Sequence, residues 1–270
     1  MGISFIVPAY KTPPLLVERC LASIDLFCRL NNVQHEVIVL NDAVVQSVAR
    51  NRGLLRATKE WVWFVDADDE VVCENSIAAR IERTDADILI FGMVQQWGEH
   101  GRKMIMLPSK EFCGELGREC IIKEHGGILF RSLCNKVFRR SFLRRNHIMM
   151  DEGCEPCEDG MFIMRCLMAR AKWEAIEQLG YLYWRRPGSS LFRFCPTIET
   201  AICEENDLWD ELTDILCIGS FDKCKWRGRR GRRMIMENNL LGENAYNVPL
   251  IDRAFNWLVS VRRFLRFRGV

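Results

Sequence analysis

Residues 61–70 read WVWFVDADDE, and this stretch decides the fold. Its first five residues, Trp61 to Val65, are aromatic or β-branched. Such a run predicts a strand that is buried on both faces, as in a mostly parallel sheet flanked by helices. Three carboxylates follow at Asp66, Asp68 and Asp69. Because ligands bind at the carboxyl ends of the strands in open α/β sheets, these side chains predict a binding site.

Asp66 and Asp68 are the candidate metal ligands of this site. Neighbouring carboxylates cannot all lie out of water unless a cation neutralises them. Oxygen ligands suit Mg²⁺ or Mn²⁺, and these ions usually bridge to the phosphates of a substrate. We therefore predict a metal–phosphate site, and the alternative is a solvated turn that ends in an acidic helix cap.

The segments before this strand alternate between strand and helix patterns. Residues 3–7 predict a strand, residues 13–30 a helix, residues 36–40 a second strand and residues 44–58 a second helix. This order predicts a parallel sheet with right-handed crossovers. The turn after the first strand, residues 8–11, contains no glycine. It cannot cradle a pyrophosphate in the usual way, so the metal must meet that charge.

Two further acidic sites are candidates for function. Asp42 follows the second strand, where it would accept a hydrogen bond from a nucleobase or cap the next helix. Glu158 and Asp159 begin an apolar helix that continues through residues 161–168. The helix dipole alone favours carboxylates there. A hydroxyl that attacks a donor must also lose its proton, and a carboxylate is the usual base.

The middle of the chain predicts an acceptor-binding half. Lys136 lies in one of its strands, where it would face the site or lie at a sheet edge. Arg185 and Arg186 precede a Pro-Gly turn, and they would close over a diphosphate or lie on a surface loop. The predicted elements are a helix at 76–83, strands at 87–94 and 103–107, one or two helices at 109–124, strands at 133–138 and 181–184, and a helix at 198–216.

Several of these motifs together resemble the family 2 glycosyltransferases. They occur in the order of that family and extend over about residues 3–190. The motifs are ISFIVPAY at 3–10, Asp42, ARNRG at 49–53, FVDADD at 64–69, NKVFRRSFL at 135–143 and Glu158-Asp159-Gly160. The resemblance implies a GT-A fold, a nucleotide-diphosphate sugar donor, a divalent Mn²⁺ or Mg²⁺ ion and inversion at the anomeric carbon.

The resemblance also implies roles for single residues. Asp159 is the implied catalytic base, and Glu158 is the alternative base or orients the acceptor. Asp68 would bind the metal, with Asp66 at the ribose–diphosphate end. The residues expected around the nucleotide sugar are Pro8, Ala9, Tyr10, Asp42, Arg50, Asn51, Asp66, Ala67, Arg185 and Arg186. Only six residues separate Asp42 from Ala49, where the family has a longer helix and a further strand, so the identity of the base stays open.

The last part of the chain differs in charge from the rest. The predicted domains are a GT-A domain (1–195), made of a nucleotide-binding half (1–70) and an acceptor half (71–195), and a helical extension (196–270). From residue 223 onward the extension carries 12 Lys or Arg and 3 Asp or Glu residues. Residues 251–267 predict a basic amphipathic helix, which indicates a membrane-surface anchor. The alternative is a helix packed on the body; nucleic-acid binding is disfavoured because no recognition motif accompanies it.

Composition and cysteine usage predict the cellular compartment and, with the motifs, the class of function. The chain has 270 residues, 49% of them hydrophobic, and a net charge of +2. Its 13 cysteines are scattered and no secretory signal pattern opens the sequence, so we expect reduced thiols in the cytoplasm, at most peripheral to the cell membrane. Cys154 and Cys157 alone are too few for a zinc site. We predict a glycosyltransferase that uses a UDP-sugar and a glycan or lipid-linked acceptor for cell-surface polysaccharide; the alternative is a non-catalytic sugar-nucleotide-binding protein.

Overall fold

The structure is a computed structural model that describes residues 1–73, 75–98, 101–117, 120–121, 127–186 and 198–215. The helices are α1 (Pro14–Leu30), α2 (Gln46–Arg56), α3 (Asn75–Arg83), α4 (Ile128–Arg131), α5 (Arg140–Arg145), α6 (Glu158–Met168) and α7 (Ile198–Ile215). The strands are β1 (Gly2–Pro8), β2 (Gln34–Leu40), β3 (Trp61–Phe64), β4 (Glu70–Val71), β5 (Ile88–Trp97), β6 (Lys103–Met106), β7 (Cys113–Glu115), β8 (Lys136–Arg139) and β9 (Lys172–Arg185).

The strands form one mixed sheet in the order β2-β1-β3-β8-β5-β9-β4, with β6 paired to β5 and β7 paired to β9. β1 is parallel to both β2 and β3, which confirms the predicted strand–helix alternation. β8 is antiparallel to β3 and β5, whereas β5 and β9 are parallel. The fold class is therefore α/β, and the carboxyl ends of β1, β2 and β3 lie at one edge of the sheet.

Both faces of β3 are buried, as its apolar run predicts. Trp61 and Trp63 pack in a core that includes α1, whereas Val62 and Phe64 pack in a second core that includes α6. The Trp63 ring lies 4.8 Å from that of Phe91 on β5, centroid to centroid. Alternate side chains of a strand point to opposite faces, so two helical layers cover the sheet around the acidic residues that follow β3.

The prediction of helices at 109–124 is wrong for residues 113–115, which form a strand, whereas the described residues 120–121 are helical. β7 lies there and pairs antiparallel with β9, with Gly114 opposite Trp173. Gly114 has φ +66, which an α-helix does not contain. Phe112 is buried and its ring centroid lies 5.8 Å from that of Trp173. Pairing and packing against β9 therefore override the local helical pattern.

The extension begins with a helix, α7, that packs near the start of α6. α7 confirms the predicted helix at 198–216, and its Glu205 pairs with Arg131. The thiol of Cys154 donates a 2.5 Å hydrogen bond to Glu204 of the same helix. The predicted amphipathic helix at 251–267 lies outside the described residues. Within the described ranges, no helix combines the length and apolar character needed to cross a membrane.

Candidate active site

The loop between β3 and β4 carries the first acidic cluster on a fixed backbone. The backbone N–H of Asp66 donates to the hydroxyl oxygen of Tyr181 at 3.0 Å. Asp69 is fully buried and accepts hydrogen bonds from the Tyr181 hydroxyl, at 2.9 Å, and from the backbone N–H of Trp184, at 2.8 Å. Sequence analysis gave Asp69 no role, and its role here is to anchor the loop from which Asp66 and Asp68 project.

Arg50 joins this cluster to the second acidic site. Its Nη2 lies 3.0 Å from Oδ1 of Asp66. Its Nη1 lies 2.7 Å from Oδ1 of Asp159 and 3.2 Å from Oε1 of Glu158. The Arg50 side chain is 4% exposed. The structure therefore brings the two predicted acidic sites together around one buried guanidinium, although they are far apart in sequence.

The two carboxylates at the start of α6 differ in accessibility. The Glu158 side chain is 7% exposed and that of Asp159 is 31% exposed. Burial and the adjacent Asp159 carboxylate raise the pKa of Glu158. Burial also raises the pKa of Asp159, although the Arg50 guanidinium opposes this rise. A general base must reach the substrate and hold a proton, so Asp159 fits that role better than Glu158.

The two predicted metal ligands, Asp68 and Asp66, each pair with an arginine through one carboxylate oxygen, so a divalent cation would bind through the other oxygen. Oδ2 of Asp68 lies 2.8 Å from Nη2 of Arg186, and its backbone carbonyl accepts a 3.1 Å hydrogen bond from Arg19. Burial raises the pKa of the Asp68 carboxyl. The second predicted ligand, Asp66, already pairs with Arg50 through Oδ1. Among the described residues no group of three or more His, Cys, Asp or Glu could hold a metal, so substrate phosphates would have to complete its coordination.

The residues expected around the nucleoside lie at the ends of β1 and β2. Pro8 and Ala9 are buried, and Tyr10 beside them is half-buried. Ala67, in the loop after β3, is also buried. The Asp42 side chain is 64% exposed, and its Oδ2 lies 3.2 Å from Nη1 of Arg52. The carboxyl ends of these strands therefore present buried residues and one exposed carboxylate to a ligand.

Asn51 and Arg185, both expected near the nucleotide sugar, contact protein groups in this structure. Asn51 is 6% exposed, and its amide bonds to the backbone of Met150. The Arg185 guanidinium lies over the rings of Trp97 and Tyr183, 5.6 Å from each centroid. Of the two predicted arginines, it is Arg186 that reaches the acidic loop.

Lys136 is a buried lysine, and only one of its two predicted placements is excluded. β8 lies between β3 and β5, so the alternative of a sheet-edge lysine is wrong. The side chain is fully buried, and Nζ donates to the carbonyl oxygens of Leu129 and Ser132 and to Oδ1 of Asn135. Burial lowers its pKa from 10.5 to about 7, while nearby anionic groups, including Asp159, oppose the shift. The lysine thus ties α4 to the sheet beneath the acidic cluster.

Residues 36–146 match a protein-family model described as glycosyl transferase family 2. The matched segment includes α2, β3 and the carboxylates of Asp66 and Asp68, and it ends before Glu158. Over this segment the chain is similar to glycosyl transferase family 2. Arg50 and Asp66 therefore lie inside the matched segment, whereas Asp159 lies outside it and its role depends on the geometry of this structure.

Two curated proteins that resemble this chain are named for polymer glycosylation or polysaccharide synthesis. TarS of Staphylococcus aureus, a poly(ribitol-phosphate) β-N-acetylglucosaminyltransferase, is 27% identical over 136 residues, which cover 50% of this chain and 22% of TarS. ExoO of Rhizobium meliloti, a succinoglycan biosynthesis protein, is 24% identical over 221 residues, which cover 69% of this chain and 62% of ExoO. The chain thus spans only part of the length of these relatives.

A solved structure shows the same fold. The crystal structure of TarS residues 1–349 in complex with UDP-GlcNAc matches with a TM-score of 0.58 at 22% identity, and the match covers 77% of this chain and 66% of that one. A structure of the same TarS fragment with UDP matches with a TM-score of 0.53. The likeness confirms that the α/β fold of this chain is of the GT-A type.

Proposed function

We propose that this protein is a glycosyltransferase that moves a sugar from a nucleotide-diphosphate donor to a hydroxyl of a glycan or lipid-linked acceptor. The observation that carries the proposal is the cluster in which Arg50 joins Asp66, at the predicted donor end, to Asp159, the candidate base. The TarS complex with UDP-GlcNAc supports a UDP-sugar as donor. The names of TarS and ExoO support an acceptor in cell-surface polymer synthesis.

The proposed reaction is one in-line displacement. Asp159 takes the proton of the acceptor hydroxyl while the hydroxyl oxygen bonds to the anomeric carbon of the donor. The bond from that carbon to the diphosphate oxygen breaks in the same step, so the configuration inverts and a nucleoside diphosphate leaves. The raised pKa of Asp159 makes it a stronger base than an ordinary aspartate, and its exposed fraction of 31% leaves it accessible to the acceptor.

We assign the cation-binding role to Asp68. A divalent Mn²⁺ or Mg²⁺ ion bound there would stabilise the negative charge of the leaving diphosphate. Arg19 and Arg186 both donate to the backbone carbonyl of Asp68. These two guanidinium groups provide positive charge of the protein itself at the same end of the site, where they would orient the donor phosphates.

Turnover of a panel of UDP- and GDP-sugars with Mn²⁺ tests the proposal. We expect the parent protein to transfer or hydrolyse one donor, and Asp159→Asn to lower the rate by about 10²- to 10⁴-fold with nucleotide affinity unchanged. Asp25→Asn is the matched control, because that exposed carboxylate pairs with Arg29 on α1, away from the cluster. If the parent binds nucleotide sugars but turns over none of them, the chain is the non-catalytic sugar-nucleotide-binding protein instead.

We also propose that the protein works at the cytoplasmic face of the cell membrane. The support is the predicted basic amphipathic helix at 251–267, whose charge suits anionic lipids. Replacement of Arg262, Arg263, Arg266 and Arg268 by glutamine in the full chain should reduce its co-sedimentation with anionic vesicles. Equal partitioning of the parent and the variant would contradict this location.

A further inference from the structure

We propose that Ser47, Arg50 and Asn51 form a positioning strip on α2 that holds the loop of the catalytic base, and that Asn51 does not contact the nucleotide. The inference rests on the proposed function, because it takes Asp159 as the base. The three side chains lie on one face of α2, since residues three and four apart are neighbours on a helix. All three are buried, with exposed fractions of 0%, 4% and 6%.

Asn51 bonds to the base loop in both directions. Its Nδ2 donates to the carbonyl oxygen of Met150, at 3.1 Å, and to Oε1 of Glu152, at 2.8 Å. Its Oδ1 accepts a 2.8 Å hydrogen bond from the backbone N–H of Met150. An asparagine amide has two N–H donors, and both are used here. A nucleotide oxygen could accept a hydrogen bond from Asn51 only by displacing one of these two acceptors, and the side chain is 6% exposed, so the amide serves the loop.

Ser47 contacts the same loop at a position that is nearer in sequence to Asp159, the candidate base. Its backbone N–H and its hydroxyl both donate to Oε1 of Glu155, at 3.1 Å and 2.6 Å. Arg50 then contacts Asp159 itself at 2.7 Å. The strip therefore contacts residues 150, 152, 155 and 159, which follow one another along the loop. These contacts fix where α6 begins and where the carboxylate of Asp159 lies.

The strip is itself fixed to the sheet. Gly53 of α2 packs against β1 so closely that an added Cβ would lie 2.3 Å from Cγ2 of Ile6. β1 also carries the predicted nucleoside-pocket residues at its carboxyl end. The position of Asp159 relative to the donor thus depends on a chain of contacts from β1 through α2 to the base loop. A displacement of about 1 Å in such a chain can lower a catalytic rate by about 10²-fold.

The experiment compares Asn51→Ala with the parent in three measurements. We expect kcat to fall by about 10- to 100-fold. We expect the Kd for UDP to stay within about twofold, because no bond to the nucleotide is lost. We expect amide hydrogen exchange of residues 150–159 to become faster in the variant, because the loop loses its bonds to Asn51. Leu55→Ala is the control on the same helix, since Leu55 is 76% exposed.

A second pair of variants keeps the test valid if Asn51→Ala does not fold. Glu155→Gln retains the oxygen that accepts from Ser47 and should retain kcat, whereas Glu155→Ala should lower it. A tenfold or larger rise in the Kd for UDP in Asn51→Ala with kcat near the parent value would overturn the inference, and so would unchanged exchange of residues 150–159. Exchange and UDP affinity need no turnover, so failure of the proposed activity is distinguishable from failure of the positioning role.

Discussion

Replacement of Arg50 by methionine removes the guanidinium that pairs with Asp66, Glu158 and Asp159 while keeping an unbranched side chain of similar length. Removing one partner of a buried ion pair destabilises a protein by about 3–5 kcal/mol, because a charge stays buried without compensation. Asp66 and Asp159 are 25% and 31% exposed, so water screens part of the remaining repulsion. We therefore expect the free energy of unfolding to fall by about 3 kcal/mol at pH 8, at the lower end of that range.

Urea unfolding at pH 8 and pH 5.5 measures this loss, and its pH dependence has a defined sign. Burial raises the pKa of Glu158 and Asp159 and Arg50 opposes this rise, so without Arg50 these two carboxylates bind protons still more tightly in the folded state and the loss should shrink as the pH falls. Arg52→Met is the matched control, because Arg52 and its partner Asp42 are 48% and 64% exposed and such pairs contribute about 1 kcal/mol or less. A loss at pH 8 no larger than that of the control would refute the reasoning.

Three further predictions concern single residues. Gly53→Ala should lower the free energy of unfolding by about 1–2 kcal/mol in urea, because overpacking against buried Ile6 outweighs the gain in helix propensity; equal stability would contradict the packing. The pKa of Lys136 is about 7 in the folded protein against an ordinary value of 10.5, so between these values the unfolded state binds the proton and the folded state does not. The stability of the parent relative to Lys136→Met should therefore rise between pH 7 and pH 10 in parallel unfolding titrations. A pH-independent difference would count against a neutral buried lysine. Asp68→Asn should raise the Kd for UDP at least about tenfold with Mn²⁺ and little without it, by calorimetry; an equal change in both conditions would rule out a cation at Asp68.

Local signals in the sequence predict the first half of the fold. The uninterrupted apolar run of β3 indicates burial on both faces, and the structure places Trp63 and Phe64 in opposite cores. The alternation of strand and helix patterns up to β3 predicts parallel pairing with β1, which is confirmed. Where pattern and burial coincide in one short segment, the sequence contains the information that decides the structure.

The later strands depend on pairings that a local pattern cannot specify. β8 inserts antiparallel between β3 and β5, and the direction of a strand does not alter its two-residue alternation. β9 runs from Lys172 to Arg185, although only residues 181–184 are predicted as a strand, because polar residues such as Glu174 and Glu177 interrupt the apolar pattern. Pairing with β5 keeps these residues in the strand.

The candidate site is made of residues that the sequence singles out, but their contacts with each other are not predictable from it. Asp66, Asp68, Glu158 and Asp159 were expected from acidic residues next to apolar elements, and the structure brings them to one edge of the sheet. The central position of Arg50 was not expected, because its contacts with Glu158 and Asp159 span 108 and 109 residues of sequence. The ARN triplet at 49–51 carries the same letters whether it binds a nucleotide or a protein loop, so only the fold separates these roles.

Anomalous X-ray scattering from crystals grown with Mn²⁺ and UDP tests most directly whether one cleft joins a cation on Asp68 to a base at Asp159. The account predicts one manganese peak, coordinated by the Asp68 carboxylate and by oxygens of the diphosphate. It also predicts that the Asp159 carboxylate faces the space beyond the terminal phosphate, where the sugar of a donor would lie. A peak away from Asp68, or a diphosphate from which Asp159 is screened by protein, would contradict it.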